Sequence, residues 1–173
     1  NRAACDLARM AESAGASAIM ITPHAEPVPS DERVFGYFAA IAEATGLPIV
    51  LQDHPASSGV HMPVELILRM VNELPAVSCI KEEAIPTPPK IRAIKAGMKK
   101  RRVPILTGLG ALYGLFDLQA GSDGFNTGFA FPEVLMAMVA AAGENNWDRV
   151  RSIYTHHLPL IVFEQQPGVA VRK

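Results

Sequence analysis

The sequence predicts an α/β fold built on a parallel sheet. Three observations carry this. Five short apolar runs alternate with amphipathic helical segments. Successive runs are spaced at roughly 20 to 30 residues, the size of a βα unit. The runs are apolar throughout, as parallel strands covered on both faces are.

The elements follow in order. Arg2 to Ser13 reads as a helix with Ala4, Leu7, Ala8 and Ala11 on one side, stopped by Gly15. Ala18 to Thr22 is a β-rich run broken by Pro23, and Ala25 to Pro29 reads as loop. Ser30 suits an N-cap, with Asp31 and Glu32 in the first turn, where carboxylates favour the helix dipole. Phe35, Phe38, Ile41 and Ala42 give that helix its apolar stripe, and Gly46 and Pro48 end it. Pro48 to Gln52 is the second strand, followed by a turn-rich stretch from Asp53 to Gly59. Pro63 opens a helix with Val64, Ile67, Leu68 and Val71 on its face. Val77 to Glu83 reads as the third strand. A Pro-rich loop from Ile85 to Pro89 leads to a helix carrying Ile91, Ile94 and Met98. Lys99 to Arg102 suit that helix's C-terminus, where cations meet the negative end of the dipole; a phosphate or nucleic-acid patch is the alternative. Val103 to Leu106 is the fourth strand, Ala111 to Gln119 a helix, and Phe125 to Thr127 the fifth strand. Pro132 to Val139 and Asn145 to Glu164 read as two closing helices.

Two architectures fit this order: an open doubly wound sheet of five strands, or part of a (β/α)8 barrel, which needs about 250 residues. The chain has 173 residues and begins at Asn1, already inside a helix. That start favours a single partial barrel domain over residues 1–173, with unclosed strand edges.

Composition narrows the function classes. Hydrophobic residues make up 49 %, enough for a sizeable core. The formal net charge of -1, with no long basic or acidic run, argues against nucleic acid or an anionic membrane surface as partner. No apolar run approaches the roughly 20 residues of a membrane span. The two cysteines, Cys5 and Cys79, have no metal-ligand spacing. Cys79 in an apolar strand reads most simply as reduced, which points to the cytoplasm. No metal and no cofactor is expected: no His/Cys/Asp/Glu set has ligand spacing, and Gly108-Leu109-Gly110 lacks the third glycine of a dinucleotide loop.

One residue stands out. By alternation, Val77, Cys79 and Lys81 fall on one side of the third strand, and Ser78, Ile80 and Glu82 on the other. A lysine in line with Val and Cys is costly to bury when charged, and desolvation favours the neutral amine, the form that attacks a carbonyl. Lys81 is therefore a candidate Schiff-base nucleophile. The plainer reading is a strand-end lysine that reaches solvent or pairs with Glu82 or Glu83. Among the other polar residues, His24 lies just past a strand end, as a solvent-facing loop residue or as a proton relay. His54 shares parity with Gln52. His61, His156 and His157 read as loop, surface or packing residues. Asn126 and Thr127 either bind substrate hydroxyls or close a turn.

Thr22-Pro23-His24 after the first strand, Leu51-Gln52-Asp53-His54-Pro55 with Gly59 after the second, and Ile80-Lys81-Glu82 ending the third now read together. In this order and spacing the chain resembles the dihydrodipicolinate synthase / N-acetylneuraminate lyase family. Gly108, Gly124 and the closing Pro167 to Lys173 also look like the family's pattern. The resemblance implies a TIM (β/α)8 barrel of which this chain supplies about strands 4 to 8. It implies that Lys81 forms a Schiff base with the C2 carbonyl of pyruvate or a related 2-oxo acid. It also implies a homo-oligomer, commonly a tetramer. The family's carboxylate-binding Gly-Thr/Ser-Thr-Gly-Glu loop would lie before Asn1.

Three departures bear on the substrate. Gln52 stands where many members have a proton-relaying tyrosine, and an amide is neither acid nor base near neutral pH. His24 or Ala25 replaces a second tyrosine. The arginine that dihydrodipicolinate synthase uses for its dicarboxylic substrate falls at about Ser57. The expected activity is a Schiff-base-forming lyase on pyruvate or a 2-oxo-3-deoxy sugar acid, with dehydration favoured over retro-aldol cleavage or synthase-like condensation. The expected catalytic residues are Lys81, Gln52 and His24. The expected substrate contacts are His54, Ser57, Gly108, Asn126 and Thr127. The alternative of another class is a non-catalytic α/β small-molecule binding protein.

Overall fold

Five parallel strands lie side by side in the order of the chain: β1 (Ile19–Ile21), β2 (Ile49–Asp53), β3 (Val77–Glu82), β4 (Ile105–Thr107) and β5 (Gly124–Phe125). The structure is a computed structural model that describes residues 2–25, 30–166 and 170. Parts of two expected segments, Glu26–Pro29 of the first loop and Pro167–Val169 with Val171–Lys173 at the end, lie outside the described residues. A doubly wound sheet reverses its strand order at a switch point. Here the order never reverses, so the sheet is an incomplete barrel.

The helices are α1 (Arg2–Ser13), α2 (Asp31–Ala44), α3 (Pro55–Ser58), α4 (Val64–Glu73), α5 (Thr87–Gly97), α6 (Gly114–Ala120), α7 (Pro132–Gly143) and α8 (Trp147–Glu164). Local chemistry sets several of their ends. The Ser30 hydroxyl accepts from the Arg33 N–H at 3.3 Å, with Asp31 and Glu32 in the first turn of α2. Asn146 caps α8 through the Arg149 N–H at 3.1 Å. Short α3, inside the expected turn, is closed by Gly59 at φ 70°, a left-handed conformation that glycine adopts without strain. The helix expected from Ala111 divides into a 3₁₀ turn (Leu109–Ala111) and α6, and β5 begins at Gly124 rather than Phe125.

Two expectations are corrected. Val77 does not share a face with Cys79 and Lys81. Ile49 pairs with Val77 but Val50 with Cys79, so Ser78 is an extra residue in the ladder. Its hydroxyl donates to the Ile49 carbonyl at 3.4 Å. Val77 thereby joins Ile49, Leu51, Ile80 and Ile105 in the core beneath the helices. The basic cluster after α5 serves a different helix end from the one expected. Arg101 reaches across to the last turn of α4 and donates to the carbonyls of Val71 (2.8 Å), Leu74 (3.2 Å) and Pro75 (2.9 Å).

The main core packs α1, α2, α4 and α5 on β1 to β4, and a second cluster joins α6, α7 and α8. The two outer strands each border an apolar cavity. One of about 300 Å³ lies beside β1, between Leu7 of α1 and Tyr37 of α2. The other, of about 530 Å³, lies beside β5, against Leu135 and Val139 of α7. Leu7 and Met20 are exposed at the first edge and Met136 at the second. Unpaired, apolar sheet edges of this kind invite further strands. No helix among the described residues is long and apolar enough to cross a membrane.

Candidate active site

The C-terminal ends of β2 and β3 bring the site together. In register, Gln52 lies opposite Lys81 and Asp53 opposite Glu82. Alternation then sends the two pairs to opposite faces. Val50, Gln52, Cys79 and Lys81 take the inner face, away from the helices, while Ile80, Asp53 and Glu82 take the helix side.

On the inner face Lys81 is 9 % exposed. Its Nζ lies 3.3 Å from Glu83 Oε2. The same oxygen accepts from Gln52 Nε2 at 2.6 Å, and Glu83 Oε1 accepts from the Leu109 N–H at 3.0 Å. Of the two partners open to Lys81, Glu83 is the one it takes. Gly108 makes this possible: a Cβ there would stand 1.9 Å from Glu83 Oε1. Beside Glu83 a cleft of about 280 Å³ opens between Ala56, His61 and Leu109. Cys79, on the same face, has its thiol pushed up by burial and then by the Asp123 carboxylate, which keeps it protonated.

On the helix face Lys90 of α5 donates to Asp53 Oδ2 and to the Met62 carbonyl at 2.7 Å. Glu82 Oε1 accepts from the Ala84 N–H at 2.8 Å. Burial, then the Asp53 charge, push the Glu82 carboxyl up to about 9, against the pull of Lys90. Asp53 Oδ1 and Glu82 Oε2 have no other donor among the described residues. A proton held by Glu82 and donated to Asp53 satisfies both oxygens.

The remaining expected residues fall at varying distances from this centre. His24 is exposed, and its ring stacks on Tyr37 of α2 at 6.4 Å. The Lys81 amine stands beside Glu83, which Gln52 also bonds; His24 stands against Tyr37 instead. His54 Nδ1 bonds Ser57 Oγ at 2.7 Å, and Ser57 is exposed at the rim. Thr127 Oγ1 accepts from the Gly110 N–H at 2.6 Å, so it holds the Gly108 loop. The Asn126 N–H donates to the Thr107 carbonyl at 2.9 Å, extending the β4–β5 ladder. His61, expected as a plain loop residue, lines the cleft.

Glu83 is the site residue that the expected set omits. Its signal is the parity it shares with Lys81 one residue past the strand. Its partner, the Leu109 N–H, lies 26 residues away along the chain and is not visible in a local pattern. Among the described residues no group of three or more His, Cys, Asp or Glu side chains is placed to hold a metal ion.

A sheet of parallel strands in sequence order, with a buried lysine at the C-terminal end of one strand and a carboxylate on its amine, defines a lysine-centred barrel site. The sequence profile described as the Dihydrodipicolinate synthetase family matches residues 1–169. The chain belongs to that family. It is 32 % identical over 168 residues to an L-2-keto-3-deoxyarabonate dehydratase of Azospirillum brasilense, an alignment covering 94 % of this chain and 54 % of that protein. It is 27 % identical to a 4-hydroxy-tetrahydrodipicolinate synthase of Acidobacterium capsulatum, covering 96 % and 56 %. A crystal structure of a dihydrodipicolinate synthase from Rhodopseudomonas palustris superposes with a TM-score of 0.86 at 34 % identity, covering 95 % of this chain and 56 % of that one. The chain spans about half the length of the relatives it matches. Those relatives are named as enzymes, a dehydratase and synthases.

Proposed function

We propose that the full-length protein is a Schiff-base lyase in which Lys81 attacks the C2 carbonyl of a 2-oxo acid, and that its reaction is dehydration of a 2-oxo-3-deoxy sugar acid. The observation that carries this reading is Lys81 itself: a buried amine at the C-terminal end of β3, on the inner face, with a carboxylate 3.3 Å away. A lysine placed only to stabilise the sheet would gain more on the helix side, where Lys90 already sits. This arrangement favours covalent chemistry over a plain binding role.

The substrate class rests on further support. Gln52 has no titratable group, but with its amide nitrogen donating to Glu83 its carbonyl oxygen is left to accept from a substrate hydroxyl. His54 and Ser57 stand at the rim for the distal end of the chain. No arginine occupies the Ala56-Ser57-Ser58 stretch to hold a second carboxylate, which argues against the condensation named for the synthase relatives. The relative from Azospirillum brasilense is named for dehydrating a 2-keto-3-deoxy sugar acid. The family resemblance supports a homo-oligomer, and a reduced Cys79 supports the cytoplasm.

The experiment is product analysis. Given 2-oxo-3-deoxy-pentonates and -hexonates, the full-length protein is expected to release products that keep every carbon: an oxo-semialdehyde from the pentonate and a 2,5-dioxo acid from the hexonate. Pyruvate plus an aldehyde would instead establish retro-aldol cleavage.

A further inference from the structure

We propose that Glu83 is the proton carrier of this site, doing for Lys81 and its substrate what Gln52 cannot. The proposal rests on the reading of Lys81 as the Schiff-base nucleophile. Glu83 lies one residue past β3, on the Lys81 side, and its N–H donates to the Asp53 carbonyl at 2.9 Å. It is 7 % exposed. Its two oxygens have separate tasks. Oε1 is anchored by the Leu109 N–H, and Oε2 is shared between Lys81 Nζ and the Gln52 amide.

The anchor is built at a cost. Leu109 (φ 52°), Gly110 (φ 64°) and Ala111 (φ 65°) are three consecutive left-handed residues, and two of them are not glycine. Each such non-glycine residue is strained and persists only where its surroundings hold it. The turn they form aims the Leu109 N–H at the carboxylate, while Gly108 leaves room for it. Thr127 locks the turn through the Gly110 N–H. Strain held around a carboxylate that touches a candidate nucleophile marks a chemical role more than a structural one. The titratable groups facing Glu83 are Lys81 from β3 and His61 across the cleft.

The proton steps balance around one carboxyl. Glu83 carboxylate takes a proton from the Lys81 ammonium, freeing the amine. The amine adds to the C2 carbonyl of the 2-oxo acid, and the nitrogen's proton passes to the carbonyl oxygen, giving a neutral carbinolamine. The carboxylic acid of Glu83 returns its proton to that hydroxyl, which leaves as water with its C–O electron pair. The nitrogen lone pair forms the protonated imine. Glu83, again a carboxylate, removes a proton from C3, and the C–H pair becomes the enamine. Its acid form then protonates the C4 hydroxyl, which leaves as a second water, and the enamine electrons close the C3–C4 double bond. No oxidant or reductant is required.

The test uses pyruvate and the full-length protein. Two readouts are followed: borohydride trapping of the imine on Lys81, and exchange of the pyruvate C3 protons with deuterium oxide. Glu83→Gln keeps an acceptor for Leu109 but loses the base. It is expected to form the adduct at saturation while C3 exchange falls by about 10²- to 10⁴-fold, the usual worth of general acid–base help. Glu83→Asp should recover part of the exchange, and formate should restore part of it to Glu83→Ala. A purely structural carboxylate would show neither the split between adduct and exchange nor the formate rescue. Wild-type exchange in Glu83→Gln overturns the proposal and leaves Lys81 standing. Absence of any adduct on wild-type Lys81 overturns both.

Discussion

Two lysine–carboxylate groups stand back to back at the C-terminal ends of β2 and β3, one built on Lys81 of β3 and the other on Lys90, which reaches in from α5. On the helix face Lys90 is held by Asp53 and by the Met62 carbonyl, and the carboxyl of buried Glu82 is pushed up to about 9 by burial and by the Asp53 charge. On the inner face Lys81 touches Glu83, which has two further donors in Gln52 and Leu109. The first group is closed. Its lysine is committed to its partners, and its carboxyls depend on that lysine. The second group is open. Its carboxylate is satisfied without the lysine, so the amine is free to leave the pair. The same two side-chain types thus serve structure on one face and chemistry on the other, and the difference lies in which partner depends on which.

The largest expected effect separates the two lysines. Lys90→Ala leaves the buried Asp53 charge without its counter-ion and should cost about 3–5 kcal/mol, as breaking a buried pair does. Lys81→Ala leaves Glu83 with Gln52 and Leu109, so its cost should be about 1 kcal/mol, the worth of one lost contact. Urea denaturation of both variants checks this. Equal losses would break the distinction between a closed and an open group.

A smaller effect concerns pH. The Glu82 carboxyl stands at about 9 in the fold against 4.5 unfolded. Between these values the folded state holds a proton that the unfolded state has released. Its contribution is therefore fully present below 4.5 and is lost as pH rises towards 9. Glu82→Gln, a neutral mimic of the protonated acid, should flatten the decline in stability across that window. An unchanged pH profile in thermal melts would mean that Glu82 is ionised in the fold.

Much of the fold was legible because each βα unit has local punctuation. Ser30 and Pro63 mark helix starts, and the apolar runs mark strands. The face of Val77 was not legible, since the extra residue at Ser78 exists only in pairing with β2. The target of Arg101 was hidden for a similar reason: its carbonyls belong to another helix end. At the site, Lys81 and Gln52 could be placed by alternation. The same alternation puts Glu83 on the Lys81 side, but its anchor on the Leu109 N–H joins a distant loop and was not legible.

The most direct measurement is peptide mapping after borohydride reduction with pyruvate. The account predicts one reduced pyruvate adduct, on the peptide carrying Lys81. It also predicts none on Lys90, which its partners hold, and none in Lys81→Arg, since arginine stays protonated and cannot attack. An adduct on Lys90 or Lys99, or an unmodified Lys81 at saturating pyruvate, would contradict it.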